Sequence, residues 1–299
     1  MMAYCAGNAT RNIHTYVSAS TSNDSAMSNH FREDQLLEAI EHGDFGRAVQ
    51  LLSSGISINA ILLSRTRRES ATVLATAAYE GQIDIMRYLL ECHVVVNYQD
   101  PLLKRNALHW ACMGKHADAV QLLVDSNIDV NCVDRDNVTP IIRAAMLGRL
   151  DIVEILIESG AEVGKFDRLH SSALHYATFH GSSDVVSLLI RAGCTPNNPT
   201  IFGQGTPLAN LIYHRDIINI QLLFEAGYRP SEDGWIIQYL SKEQSTNIAA
   251  YLRSEYHSPC SLARLCRTAI RKQMRGVHVH RKILSLSLPL TIKHYLLLD

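Results

Sequence analysis

The 299-residue chain is 47% hydrophobic and 19% charged with a net charge of −1, the balance of a protein with an ample apolar core. No apolar run reaches the roughly 20 residues a bilayer-spanning helix needs, and no basic stretch leads into an apolar one at the start, so neither a membrane span nor a secretory signal is expected. Seven irregularly spaced cysteines suit a reducing compartment, cytosol or nucleus, better than a disulfide scaffold.

In chain order, residues 1–32 come first. They are rich in Ser, Asn and Thr, as in "TYVSASTSNDSAMSNH", and offer few apolar groups to offset the entropy of folding, so they are predicted to be disordered. From residue 33 to about 257 the chain repeats itself. Copies begin at Thr72, Asn106, Thr139, Ser172 and Thr206, at intervals of 34, 33, 33 and 34. A partial copy precedes them at Gln35, and a degenerate one follows near Trp235.

Each copy predicts a turn and two helices. Thr139-Pro140 and Thr206-Pro207 supply a hydroxyl cap followed by proline at the first helical position. Ala77-Ala78 and Ala144-Ala145 are small enough for neighbouring helices to approach. Gly81, Gly148 and Gly181 stand where the first helix must end and turn. Leu89-Leu90, Leu122-Leu123, Leu156-Ile157 and Leu188-Leu189 give the second helix a buried face. Gly160, Gly193, Gly227 and Asn127 suit its left-handed end. Lys115, Arg215 and His93 depart from glycine at such ends, and "AILLSRTRRES" lengthens the first junction by five residues.

The period and these positions resemble an ankyrin array of about six repeats plus a degenerate terminal one. The resemblance implies an all-α solenoid in which no repeat folds alone. It also implies that the residue after the paired small positions faces a concave groove. That residue is Tyr79, Met113, Met146, Phe179 and Tyr213 in successive repeats, with Leu147 beside one of them. Arg68, Arg135 and Arg168, each four residues before a repeat start, would form a basic rim. A contiguous apolar stripe of this kind marks a partner site, here for an apolar target segment flanked by acidic residues.

Catalytic chemistry is not expected. His109 and His175 stand in Ala-Leu-His, where such repeats carry a hydrogen-bonding histidine. His278-Val279-His280 has no Cys/His pair at zinc-site spacing. Cys92 is expected to pack as a small apolar group. "FGQGTP" at Phe202 is too short for a phosphate loop, and no nucleophile elbow or HExxH occurs. Neither a cofactor nor a metal is implied.

The last segment differs in charge. Residues 251–299 carry nine Lys/Arg against two Asp/Glu, +7, leaving −8 for residues 1–250. A basic tail can bind nucleic acid. This one lacks interleaved aromatics, and Arg264, Arg267, Arg271 and Arg275 share one helical face, so a solvated face is expected and no nucleic-acid partner. Ser258 and Pro259 begin the predicted helix, and Leu262, Leu265, Cys266, Ala269 and Ile270 line its apolar side at steps of three and four.

Two motifs in this segment resemble a SOCS box, at 258–299. Ser261 to Ile270 reads Ser-Leu-x-x-x-Cys-x-x-x-Ile, similar to the Elongin-binding box. "ILSLSLPLTIKHYLLLD" is similar to the cullin segment, with Leu286, Leu288, Pro289, Ile292, Lys293, Tyr295 and Leu296 in matching order. Ser287 stands where that segment usually has proline. The chain thus resembles the ankyrin-repeat and SOCS-box family. The resemblance implies a non-catalytic adaptor of a cullin–RING ubiquitin ligase. Its partners would be a protein target, Elongin C with Elongin B, and cullin-5 with a RING-box protein. The alternative is a scaffold whose last helix only caps the array.

Overall fold

The computed structural model describes residues 23–64, 69–194, 206–228, 239–240, 247–257, 269–270 and 279–297. The chain builds a stack of helix pairs. Helices α1 (Asn23–Glu41) and α2 (Phe45–Ser53) form the first pair. A hairpin of β1 (Ile61–Ser64) and β2 (Glu69–Thr72) follows. Five inner helices then alternate with five outer ones. The inner helices are α3 (Val73–Glu80), α5 (Ala107–Gly114), α7 (Pro140–Met146), α9 (Ala173–Phe179) and α11 (Pro207–Tyr213). The outer ones are α4 (Ile83–Glu91), α6 (Ala117–Asp125), α8 (Leu150–Glu158), α10 (Ser183–Arg191) and α12 (Ile217–Glu225). Helix α13 (Asn247–His257) closes the array, and α14 (Val279–Ser285) and α15 (Leu290–Leu297) belong to the C-terminal segment.

The repeat logic accounts for the helix ends. Thr72, Asn106, Thr139 and Thr206 cap inner helices, each accepting the backbone N–H three residues on at 3.1–3.4 Å. Pro140 and Pro207 follow directly, where an N–H would have no partner anyway. Lys115, Arg215 and His93 adopt positive φ (58–66°) at the ends where glycine is usual, so the departures leave the turn unchanged. At Gly81 glycine is required twice over: φ is +70°, and a Cβ would sit 2.5 Å from the His116 ring.

Burial follows the small-and-large pattern. Ala77, Ala78, Ala111, Ala144, Ala145 and Ala177 are fully buried between inner helices. Leu89, Leu123, Leu156, Leu189 and Leu223 are fully buried along the outer ones. Truncating any of these leucines to alanine should cost about 2–5 kcal/mol. One continuous core runs from Leu36 on α1 to Leu252 on α13, so the repeats are stacked rather than independent. Asparagines add polar stitches. Asn59, Asn97 and Asn131 each accept a backbone N–H from the following repeat, at 3.0, 2.7 and 2.8 Å, to Val95, Asp129 and Glu162.

Two expectations change, and one junction carries a strand pair. Residues 23–32 are helical, because Leu36, Leu37 and Ile40 anchor α1 on the core and the helix runs back from that anchor to Asn23; residues 1–22 lie outside the described ones. The junction lengthened by five residues holds a short antiparallel strand pair, Ile61 opposite Thr72 and Ser64 opposite Glu69, beside an otherwise helical array. Its alternation explains the strand: Leu62 is buried while Ile61 and Leu63 face out. Cys92 is exposed rather than packed, because it is the C-cap of α4, on the open side of the helix end. In α13, Ile248, Ala249 and Leu252 are buried and Tyr251 meets Phe224 edge-on at 5.9 Å; Trp235, where the degenerate copy was expected, lies outside the described residues. Among the described residues no helix is long and apolar enough to cross a membrane.

Candidate partner-binding surfaces

The expected stripe splits in two. Tyr79, Met113 and Met146 are half-buried against the core, and the Tyr79 ring packs edge-on to the fully buried Trp110 at 6.0 Å. The apolar surface gathers instead in the later repeats, where Leu147 is 37%, Phe179 46% and Tyr213 82% exposed. His214 holds the last two in register. Its Nε2 donates to the Phe179 carbonyl at 3.1 Å, and its ring meets Tyr213 edge-on at 5.2 Å. The split follows from Trp110, which stands at the inner-helix position of Arg143 and Tyr176 in later repeats; its fully buried ring gives Tyr79 a surface to pack against. Ile217 and Ile218, exposed at the start of α12, extend the apolar surface and were not singled out by the motif.

The basic rim is only partly free. Arg135 is exposed. Arg168 forms an exposed ion pair with Asp136 at 3.6 Å, an arrangement of small energetic consequence. Arg68 lies outside the described residues.

Behind the rim is a second, desolvated set of charges. An aspartate opens each of three turns. Asp100 accepts the backbone N–H groups of Leu102, Leu103 and Arg105. Asp134 Oδ1 accepts those of Asp136 and Val138, and Asp167 Oδ1 those of Leu169 and Ser171. The remaining oxygen meets the inner helix. Asp167 Oδ2 accepts the Tyr176 hydroxyl at 2.6 Å, whereas Asp134 Oδ2 accepts from the Arg143 guanidinium at 3.0 Å. Arg105 approaches the same oxygen at 3.8 Å, too long for a hydrogen bond, and reaches Glu69 at 3.4 Å. Its guanidinium carbon lies 5.3 Å from the centre of the Trp110 ring. Desolvation, and then the like charge of Arg105, lower the Arg143 pKa.

Histidine and cysteine positions fit structural roles. His109 is fully buried and donates from Nε2 to the Val138 carbonyl at 3.0 Å, and the Asn106 N–H donates to its Nδ1. The corresponding contact holds in the next-but-one repeat, where the Ser172 N–H donates to His175 Nδ1 at 3.2 Å. Burial pushes the Cys112 thiol up to about 12, far from a reactive thiolate. No group of three potential metal ligands occurs among the described residues, and His278 lies outside them.

In the C-terminal segment, Leu262, Leu265 and Cys266 lie outside the described residues. Ala269 is exposed and Ile270 packs on a small core of Ile283, Leu296 and Leu297, together with Leu286. Leu296 was expected at a partner surface; it is instead buried in this core, because α15 must cover Ile283 of α14 for the two short helices to pair. Leu288, Pro289 and Ile292 are exposed, while of Tyr295 only the helical backbone is described. Leu284 and Leu290, the latter 66% exposed, add apolar surface there. Lys293 Nζ donates to the Leu284 carbonyl at 2.7 Å, closing the end of α14.

A family profile described as ankyrin repeats matches in three overlapping copies, at 36–134, 74–167 and 129–200. A second, described as SOCS box, matches residues 258–297. Palmitoyltransferase Hip14 of Drosophila melanogaster is 30% identical over 106 residues, 36% of this chain and 16% of that protein. The transient receptor potential cation channel subfamily A member 1 of the same fly is 30% identical over 115 residues, 36% of this chain and 9% of that protein. The chain therefore spans less than a fifth of either relative, and their named activities do not carry over to it.

Proposed function

From a chain that belongs to the ankyrin-repeat and SOCS-box family, built as a target-recognition adaptor of a cullin–RING ubiquitin ligase, we propose the following division of labour. The repeats hold a protein target along the inner helices, through Leu147, Phe179 and Tyr213 with Met113, Met146 and Tyr79 beside them. The target segment is apolar and flanked by acidic residues that meet Arg68, Arg135 and Arg168. Leu262, Leu265, Cys266, Ala269 and Ile270 engage Elongin C, which brings Elongin B. Leu286, Leu288, Pro289, Ile292 and Tyr295 face cullin-5 and its RING-box protein, with Leu296 supporting them from the core.

The chain contributes proximity rather than bond chemistry. Holding a target and a charged ubiquitin carrier on one frame turns a bimolecular encounter into an intramolecular one at high effective concentration. A cytosolic or nuclear setting suits its free cysteines.

The observation that supports this reading most is the pairing of a stacked array with a box that matches over residues 258–297 and closes a core of its own. A scaffold whose last helix merely capped the stack would have no need of a second core. Co-expression with Elongin B and Elongin C tests it. The full chain should elute with both in equal amounts; a chain that elutes alone rejects the ligase reading in favour of the scaffold.

A further inference from the structure

The turn aspartates do not need arginine. Asp100 is satisfied by three backbone N–H groups, and Asp167 by two N–H groups and a neutral phenol, Tyr176. Among these three described turns, two guanidiniums crowd the aspartate only in the repeat between. Arg143 stands at the place Tyr176 takes one repeat later, and Arg105 at the place taken by Val138 and Ser171. Desolvating a guanidinium is costly, and neutral side chains of similar size commonly replace such buried pairs without loss of stability.

The cost is not fully offset among the described residues. Asp134 offers its single remaining oxygen to both arginines, and Glu69 is met only at 3.4 Å. The Nε groups of Arg105 and Arg143 are buried with no hydrogen-bond partner among the described residues, as is Nε1 of the Trp110 indole beneath Arg105. Orphaned donors of this kind require an explanation. The Arg105 and Arg143 side chains nevertheless remain 13% and 16% exposed, so a ligand group can reach the guanidiniums at atoms other than the buried Nε. Arg105 stands two residues before α5 and Arg143 on α7, in the repeats between those of Tyr79 on α3 and Phe179 on α9.

We propose that Arg105 and Arg143 together anchor a carboxylate of the bound target, an aspartate or glutamate side chain beside its apolar segment. A planar guanidinium pair suits a carboxylate, which can accept from both at once. The acidic contact is thereby moved from the exposed rim at Arg135 and Arg168 to a site where a charge pair is far less screened. This inference rests on the groove reading above, and its test separates the two.

The probe is a displayed library of random dodecapeptides, selected on the full chain; enriched peptides are then synthesised and measured by fluorescence polarisation. Arg143→Tyr removes the charge while supplying the hydroxyl that Tyr176 already gives Asp167, and Arg105→Val copies Val138. Thermal melting of both variants checks that they fold. The expected result is enrichment of Asp or Glu beside aromatic or aliphatic residues. Affinity should fall about tenfold or more in either arginine variant, and little further when the peptide's acid is replaced by its amide. Peptides that lose affinity on Phe179→Ser and Tyr213→Ser, yet keep it on Arg143→Tyr and Arg105→Val, overturn this inference and leave the groove standing. Peptides indifferent to all four substitutions, or a library without a binder, overturn both.

Discussion

Nε2 of His109 donates to the carbonyl oxygen of Val138, 29 residues further along, at 3.0 Å, tying one inner helix to the turn that starts the next. The bond needs a neutral ring with its proton on Nε2. Burial outweighs the carbonyl's pull and the attraction of Asp134, and pushes the imidazole down to about 4. A depressed folded-state pKa means stability that is whole above the unfolded value, near 6.5, and is lost as pH falls toward 4. The loss amounts to about 3 kcal/mol at most. His109→Gln should therefore be less stable than the parent near neutrality, with the gap closing as pH falls. Urea denaturation across that range measures it, and a constant gap would contradict the assignment.

The divided stripe makes a second prediction. Tyr79→Ala removes a ring packed on Trp110 and should destabilise the array by about 2 kcal/mol or more. Tyr213→Ala, at a residue 82% exposed, should change stability by no more than about 0.5 kcal/mol while weakening any ligand of the groove. Melting curves of the two variants decide. A large loss from Tyr213→Ala would mean that its ring is a structural element and not a binding one.

A third prediction concerns Leu296. Since it fills the core with Ile283 and Leu297, Leu296→Ala should act by loosening the α14–α15 pair, about 2–4 kcal/mol, and not by deleting a contact. Leu290→Ala, at a side chain 66% exposed, should leave the pair intact. Hydrogen exchange of the Ile292 and Lys293 amides, bonded to the Pro289 carbonyl, reports the difference. Equal protection in both variants would contradict the core assignment.

These residues also show how far the sequence could be read. The period, the Thr-Pro caps and the buried Leu pairs are local or face-periodic signals, and one chain suffices to display them. The left-handed ends were legible even through Lys115 and Arg215, because neighbouring repeats fix the geometry that these residues must accept. Exposure along the stripe was not legible, since it depends on what the adjacent repeat places opposite, as Trp110 does for Tyr79. The hairpin at Ile61 was hidden because an inserted segment breaks the period that guided the rest. The Arg105–Asp134–Arg143 cluster joins residues of different repeats, and nothing in the spacing of either arginine announces it.

A fourth prediction turns on Ser287. It is exposed in the corner between α14 and α15, where the Leu288 N–H donates to the Leu286 carbonyl at 2.8 Å. Proline there would pre-set φ and lower the entropy lost on docking. Ser287→Pro should bind cullin-5 more tightly than the parent, and Pro289→Ala more weakly. Calorimetry on the Elongin-bound chain tests this; equal affinities for Ser287 and proline would make the missing ring irrelevant.

The central claim is that residues 258–299 recruit Elongin C, and a pull-down of the full chain tests it most directly. Leu262→Asp and Cys266→Lys each place a charge on the apolar side of the predicted helix, where docking would desolvate it without a partner. The account predicts that both variants lose Elongin C while circular dichroism of the array stays unchanged. Undiminished capture of Elongin C by both folded variants would contradict it.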